Sequence, residues 1–158
     1  MSQDSVSDSQ THFLLEPDPD HPGWNRYELS EPDRYNLAVL GRLLVRQEGE
    51  RSCRVRLTPR EIHLNSTGRI HGGIILGLID VALFPAMYLV CGVPVSGSVT
   101  VDMQNQFIAA GDGTRPLDAV VEVVRETRRM GFLRGLMVQD DDVVASFTAT
   151  IRKPGEKR

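Results

Sequence analysis

A chain of 158 residues is long enough to bury a core in a single domain. Its net charge of −3 gives no basic bias, which argues against a nucleic-acid partner. Its two cysteines, Cys53 and Cys91, are too few and too scattered for a disulfide framework or a zinc site. The N-terminal residues lack the basic and apolar regions of a secretory signal, so the sequence predicts a cytoplasmic protein.

The first part of the chain is polar and then rich in proline. Residues 1–15 are predicted to be a disordered tail. Residues 16–39 contain several prolines and aromatic residues and are predicted to form an ordered but irregular arm, whose purpose the sequence leaves open. The folded domain is predicted to cover 40–153, followed by a short tail at 154–158.

The folded domain is predicted to contain one long apolar helix and five to six strands. Two strands, near 43–47 and 52–58, precede a helix at about 72–90. The later strands are joined by turns short enough to make neighbours antiparallel, and they cover about 98–109, 117–128, 132–139 and 143–153. This order predicts an α+β domain with the helix packed on the concave face of a curved antiparallel sheet.

The apolar run at 74–95 is also long enough to span a bilayer. Asp80 near its middle, Pro85 within it and the lack of a basic flank argue against spanning. A sheet that wraps around a helix requires a helix that is apolar on most sides. The sequence therefore favours a core helix and predicts no membrane partner.

Asp80 is the most informative residue of this helix. An ionised carboxylate among apolar side chains is costly to desolvate unless it is paired, hydrogen-bonded or hydrated. Asp80 is therefore either a structural aspartate held by nearby donors or a functional group.

Three segments of the sequence occur in a recognisable order: Asn65-x-x-Gly68-x-x-His71-Gly72-Gly73, Leu78-Ile79-Asp80-x-Ala82 and Val99-Thr100-Val101-Asp102-Met103. Together they resemble a known family, the hotdog-fold acyl-CoA thioesterases of the PaaI type. The resemblance implies a helix wrapped by an antiparallel sheet, a homodimer and commonly a homotetramer. It also implies hydrolysis of an acyl-CoA or aryl-CoA to the free acid and CoA, without a metal or a redox cofactor.

The chemistry of thioester hydrolysis constrains where two of these residues meet. The reaction needs an activated nucleophile and donors for the developing oxyanion. Asp80 offers a general base or a nucleophile, and the amide at Gly72, at the positive end of the helix dipole, offers an oxyanion donor. Helical geometry separates these residues by about 12 Å, whereas both must lie about 3 Å from one carbonyl. The sequence therefore predicts an active site shared between two subunits.

Three further residues are candidates for this site. The resemblance implies that Asn65 and Thr100 help to place the catalytic carboxylate or its water, and His71 is a candidate for substrate contact. Each has an ordinary alternative: a turn cap for Asn65, a satisfied wall residue for His71 and a plain strand position for Thr100. The alternative for Gly72 is close packing of the helix.

Arg125, Arg128 and Arg129 are candidates for binding CoA. The resemblance places this segment at the CoA nucleotide, and arginine suits phosphate geometry. A solvated turn is the alternative for such a run of charges. Phe107 and Met130 are candidates for lining the same groove, with core packing as the alternative for Phe107.

Three residues depart from the family pattern: Pro85 inside the helix, Arg69 ahead of the histidine and Thr127 in place of a turn glycine. A proline inside a helix removes an N–H and clashes with the carbonyl four residues earlier. A kink there would re-aim Asp80 or widen the acyl pocket. The identity of the acyl group therefore stays open.

Two rival functions also stay open. A hotdog hydratase or dehydratase would need a histidine paired with the acid, and no histidine follows Asp80 in the sequence. A non-catalytic acyl-CoA-binding module would use Asp80 only to hydrate the pocket. The spacing of His63, His71 and Asp80 does not favour a metal site. The sequence thus predicts a thioester hydrolase, and leaves open whether Asp80 attacks directly and whether two dimers form a tetramer.

Overall fold

The computed structural model describes residues 13–29 and 31–155. It contains one long helix, α1 (Gly72–Cys91), and short helical turns at Asn36–Leu40 and Glu61–His63. Eight strands complete it: β1 (Phe13–Pro17), β2 (Asn25–Leu29), β3 (Leu43–Glu48), β4 (Ser52–Leu57), β5 (Val99–Phe107), β6 (Leu117–Glu126), β7 (Met130–Gln139) and β8 (Asp142–Arg152).

All eight strands join in one antiparallel sheet, in the order β1-β2-β3-β4-β6-β7-β8-β5. The sequence predicts a meander of all four strands after the helix, and three of them, β6, β7 and β8, form one through short turns. The prediction is wrong for β5, which precedes β6 in the chain but pairs with β8 at one edge of the sheet. The connection at 108–116 is longer than a hairpin turn and does not hold β5 beside β6. The α+β prediction is confirmed: one long helix packs against a large antiparallel sheet.

The sheet has more strands than the five to six that the sequence predicts, because residues 13–29, from the end of the predicted tail and the start of the proline-rich arm, form a hairpin. Pro17 ends β1, and Pro19 and Pro22 lie in the loop that connects it to β2, where they interrupt no strand pairing. Asp18 closes that loop, since its Oδ1 accepts the backbone N–H groups of Asp20 and His21 at 2.9 and 3.0 Å. Most of the predicted tail, residues 1–12, lies outside the described residues, as do Ser30 and 156–158.

Helix α1 forms the core of the molecule. Ten of its residues, including Pro85, are buried, and the helix continues without interruption through that proline. Its apolar side chains face the inner side of the sheet, where Cys53, Val55 and Leu57 alternate with arginines that face outward. Gly92 ends the helix with φ 67°, and its N–H donates to the Tyr88 carbonyl at 2.8 Å.

The arm is fastened to the outer side of the sheet by Trp24. The guanidinium groups of Arg46 and Arg56 lie 4.3 and 4.6 Å from the centre of its ring, a cation–π arrangement. Arg56 also donates two hydrogen bonds of 2.7 Å to the buried carboxylate of Asp118, and Arg54 donates a third at 3.1 Å. The loop of the hairpin therefore packs on outward-facing side chains of β3 and β4, at the opposite edge of the sheet from β5.

Candidate active site

Asp80 and Thr100 meet beside the edge strand. The Thr100 hydroxyl donates to Oδ1 of Asp80 at 2.7 Å. Thr100 pairs in register with the fully buried Ile151, so it projects from the inner side of β5 toward α1. The structure gives Oδ2 of Asp80 no hydrogen-bond partner among residues 13–29 and 31–155. The carboxylate is thus oriented by one hydroxyl and keeps an oxygen for chemistry.

The start of α1 presents one backbone amide that the helix does not use. His71 is the N-cap, and its Nδ1 accepts the Gly73 N–H at 2.9 Å. Its carbonyl accepts the N–H groups of Ile74 and Ile75 at 2.9 and 3.2 Å. Within the described part of the chain the Gly72 N–H has no acceptor, so it is the candidate oxyanion donor. Because Nδ1 of His71 accepts, the proton of the neutral ring lies on Nε2.

His63 anchors the segment that leads to this N-terminus. Its buried ring accepts the Arg60 N–H at Nδ1, at 3.0 Å, and donates from Nε2 to the Val39 carbonyl at 2.7 Å. Its backbone carbonyl accepts the His71 N–H at 2.8 Å. Burial lowers the pKa of His63 below the usual value for histidine. The sequence raises His63 only as a possible metal ligand, and the structure gives it a positioning role.

Phe107 lies over the start of the helix. A methyl group at Gly72 would be 3.3 Å from Cζ of this ring, and Phe107 is 54% exposed. Met130 lies at the other end of the sheet edge, since both Met130 and Val99 pair with Arg152. Within one chain, Phe107 therefore borders the candidate oxyanion amide and does not share a groove with Met130.

Asn65 holds its own loop together. Its Oδ1 accepts the Thr67 N–H at 2.9 Å, the Thr67 hydroxyl at 2.7 Å and the Arg69 N–H at 3.1 Å. None of these contacts reaches Asp80. The structure thus shows the turn-cap role for the Asn65 oxygen and does not bring this residue to Asp80 within the chain.

Arg128 and Arg129 line a basic hollow of about 570 Å³ at the end of β8. Lys153 is held there by a 2.8 Å hydrogen bond from its backbone N–H to the Arg129 carbonyl. Arg125 lies instead in a separate hollow. The sequence does not single out Arg152 or Lys153, because only the β7–β8 pairing brings them to the arginine turn. The full lining of the basic hollow is Gly97, Arg128, Arg129, Arg152, Lys153, Pro154 and Gly155.

The basic hollow and Asp80 lie at the same end of β5. Thr100, which contacts Asp80, pairs with Ile151, and the next pair along the strands is Val99 with Arg152. Successive residues of a strand are about 3.3 Å apart. One chain therefore carries a carboxylate and a cationic surface side by side, while its helix N-terminus lies toward the opposite end of β5.

Asn105 is a polar residue of this edge strand that the sequence does not mark. Both polar atoms of its amide are buried, and among the described residues neither has a hydrogen-bond partner. An unmade hydrogen bond of this kind costs about 1–3 kcal/mol. The alternating pattern of β5 gives no signal that would separate Asn105 from its polar neighbours.

The family and a curated relative match the part of the chain that carries this site. The profile described as "Acyl-CoA thioesterase N-terminal domain" matches residues 61–152, more than half of the chain. A Pseudomonas aeruginosa protein named "Putative esterase PA0474" is 30% identical over 118 residues, which cover 75% of this chain and 87% of that one. These matches support an esterase or thioesterase activity.

Solved structures share the fold. A mutant of the phenylacetic acid degradation protein PaaI from Thermus thermophilus is 24% identical, with a TM-score of 0.63, covering 75% of this chain and 98% of that one. The PaaI protein of E. coli is 21% identical, with a TM-score of 0.65 and coverages of 79% and 88%. Zebra fish thioesterase superfamily member 2 is 21% identical, with a TM-score of 0.65 and coverages of 78% and 90%.

Such low identities show the fold alone, and they confirm the predicted hotdog architecture. The family profile covers more than half of the chain, and the chain therefore belongs to the acyl-CoA thioesterase family, with a hotdog fold.

Proposed function

We propose that this protein hydrolyses an acyl-CoA or aryl-CoA thioester to the free acid and CoA, in an active site formed by two copies of the chain. The Asp80 carboxylate carries the proposal, because Thr100 orients one of its oxygens and the other accepts no hydrogen bond from the described part of the chain. A non-catalytic acyl-CoA-binding module would need no such arrangement. The reaction proposed needs no metal or redox cofactor.

The proposed step is a base-assisted attack by water. Asp80 takes a proton from the water molecule while the oxygen of that water bonds to the thioester carbonyl carbon. The Gly72 N–H of the second copy donates to the oxyanion that forms. The carbon–sulfur bond then breaks, and the CoA sulfur takes the proton from Asp80, which restores the carboxylate and releases the acid.

Helix length supports a site shared between copies. Gly72 and Asp80 lie on one helix and are separated along its axis by about 12 Å. Both cannot contact one carbonyl from the same chain. A second copy must therefore supply one of the two groups if both act on the same bond.

The position of β5 at the edge of the sheet supports pairing of the two copies through this strand. β5 exposes Val99 and Val101 and has no strand on its outer edge within the described chain, and such edges are prone to pair with another strand. Antiparallel pairing of two β5 strands about their middle, near Met103, would set the Thr100 end of one beside the Phe107 end of the other. Two-fold symmetry would then create two equivalent sites.

The basic hollow supports CoA as the thiol component of the thioester substrate. Its cations lie next to the Asp80 end of the sheet edge. The pyrophosphate and the ribose phosphate of CoA are anions that arginine binds with two hydrogen bonds at once. We therefore assign the CoA nucleotide to Arg128, Arg129 and Arg152.

Free-thiol release from a panel of acyl-CoA and aryl-CoA esters tests the proposal. Each ester is also offered as the pantetheine thioester, which has no nucleotide. An Arg128→Ala/Arg129→Ala variant is expected to raise KM about ten-fold or more for the CoA esters, by loss of charge-assisted hydrogen bonds. The same variant is expected to leave KM for the pantetheine esters unchanged.

An Arg42→Ala/Arg134→Ala variant is the matched control, because it removes two exposed cations away from the hollow. It is expected to behave as the wild type with both kinds of ester. A wild-type protein that binds CoA esters but releases no thiol from any of them would show a binding module and contradict the hydrolase.

A further inference from the structure

We infer that Tyr35 forms the wall that limits the length of the acyl group. Tyr35 belongs to the segment between the N-terminal hairpin and β3, which neither the family pattern nor the chemistry above uses. The inference rests on the proposed function, because it assigns a role beside the carboxylate that acts there.

The phenol of Tyr35 is pressed against the backbone of α1 at Gly77. A methyl group at Gly77 would lie 2.1 Å from the Tyr35 hydroxyl oxygen and 3.1 Å from Cζ of the ring. No side chain fits there without moving the phenol. A glycine in the middle of a helix costs roughly 0.5–1 kcal/mol relative to alanine, so this position gives up helix stability for a close approach.

Gly77 and Asp80 share one face of the helix. Residues three apart are neighbours on a helix surface, with about 5–6 Å between their Cβ positions. Both are only partly buried, whereas Leu78 and Ile79 between them are fully buried against the sheet. The phenol therefore lies about one helical turn from the carboxylate, on the side of α1 that the sheet of this chain leaves uncovered.

The helical turn that follows Tyr35 holds its phenol in position. Tyr35 directly precedes the helical turn Asn36–Leu40. The Val39 carbonyl of that turn accepts hydrogen bonds from Arg60 Nη2 at 2.6 Å and from the buried His63 ring at 2.7 Å. Tyr35 itself remains 48% exposed. Tyr35 therefore presents an exposed aromatic ring on a segment that is held in place by hydrogen bonds.

This surface has a direct consequence for the substrate. An acyl chain that leaves the carbonyl at Asp80 and follows the open face of α1 toward its N-terminus meets the Tyr35 ring within one turn. Acyl groups that end before the ring are accommodated, and longer chains collide with it. The geometry thus points to Tyr35 as the residue that sets the upper limit on acyl length.

The test is the chain-length profile of kcat/KM for straight-chain acyl-CoA esters from four to sixteen carbons. Tyr35→Ala is expected to shift the optimum to longer chains, with a gain of about four-fold per methylene newly accommodated. Gly77→Ala is expected to change the profile as well, because it displaces the phenol while keeping Tyr35. Tyr35→Phe keeps the ring and is expected to keep the wild-type profile.

Tyr88→Ala is the matched control, since Tyr88 is another exposed tyrosine, 37% exposed on α1, that packs edge-on against Phe13. Its length profile is expected to match the wild type. Folded Tyr35→Ala and Gly77→Ala proteins that both keep the wild-type profile would overturn the inference.

Binding of non-hydrolysable S-alkyl-CoA thioethers of the same lengths separates this inference from the proposed function. A length limit that Tyr35→Ala relaxes in binding supports the wall even if the wild type releases no thiol. Equal length dependence of binding in the wild type and Tyr35→Ala overturns the wall, whatever the turnover.

Discussion

Replacing Gly72 with proline is expected to lower kcat by about 100- to 1,000-fold and to leave the fold intact. Proline has no N–H, and it is well tolerated at the first position of a helix, where the N–H has no helical acceptor. The residue before a proline must be extended, and His71 already is, with φ −64° and ψ 137°. The substitution therefore removes the proposed oxyanion donor and little else. Turnover of the best ester, measured beside thermal unfolding, checks this.

Gly72→Ala is the matched control for the proline variant. It keeps the N–H and adds a methyl group 3.3 Å from the Phe107 ring, which a small movement of that exposed ring accommodates. It is expected to stay within about ten-fold of wild-type kcat, because the oxyanion donor remains. A proline variant as active as the alanine variant would exclude the Gly72 N–H from the reaction.

Asp80→Asn is expected to reduce kcat by about 1,000-fold or more, because the amide cannot accept the proton of the attacking water. Asparagine has nearly the same shape as aspartate, and its oxygen still accepts the Thr100 hydroxyl that orients the native carboxylate. Affinity for an S-alkyl-CoA thioether should therefore stay near that of the wild type. Single-turnover hydrolysis and calorimetric binding measure the two quantities separately.

Asp20→Asn is the control for charge, since Asp20 is an exposed carboxylate in the β1–β2 loop, at the opposite edge of the sheet from β5. It is expected to retain wild-type turnover. An Asp80→Asn protein that keeps more than a tenth of wild-type kcat would exclude Asp80 as base or nucleophile.

The helix and the later strands were accessible to prediction because their signals are local. The left-handed Gly92 and nearby Pro94 mark the end of α1, and strict alternation marks β4. The β1–β2 hairpin could not be predicted, because two five-residue strands separated by a proline-containing loop give no periodic signal. Their stability comes from distant contacts, such as the burial of Tyr27 in the core and the cation–π contacts of Trp24 with Arg46 and Arg56.

Some contacts of the candidate site could likewise be predicted from the sequence, and others could not. The proximity of Asp80 to Thr100 was anticipated through the family pattern, and the helix start through its glycines. Arg152 and Tyr35 were not anticipated, because strand pairing brings the first to the arginine turn and a missing side chain at Gly77 admits the second to the helix. A single sequence contains no local trace of either contact.

The central claim is that Asp80 and the Gly72 amide act on one thioester from different chains. Its most direct test combines the two inactive variants, with Asp80→Asn in one chain and Gly72→Pro in the other, purified as a heterodimer through two affinity tags. In such a dimer one site carries both defects and the other carries none. We expect about half of the wild-type kcat per dimer, as two-fold symmetry requires. A verified heterodimer as inactive as either parent would contradict the shared site.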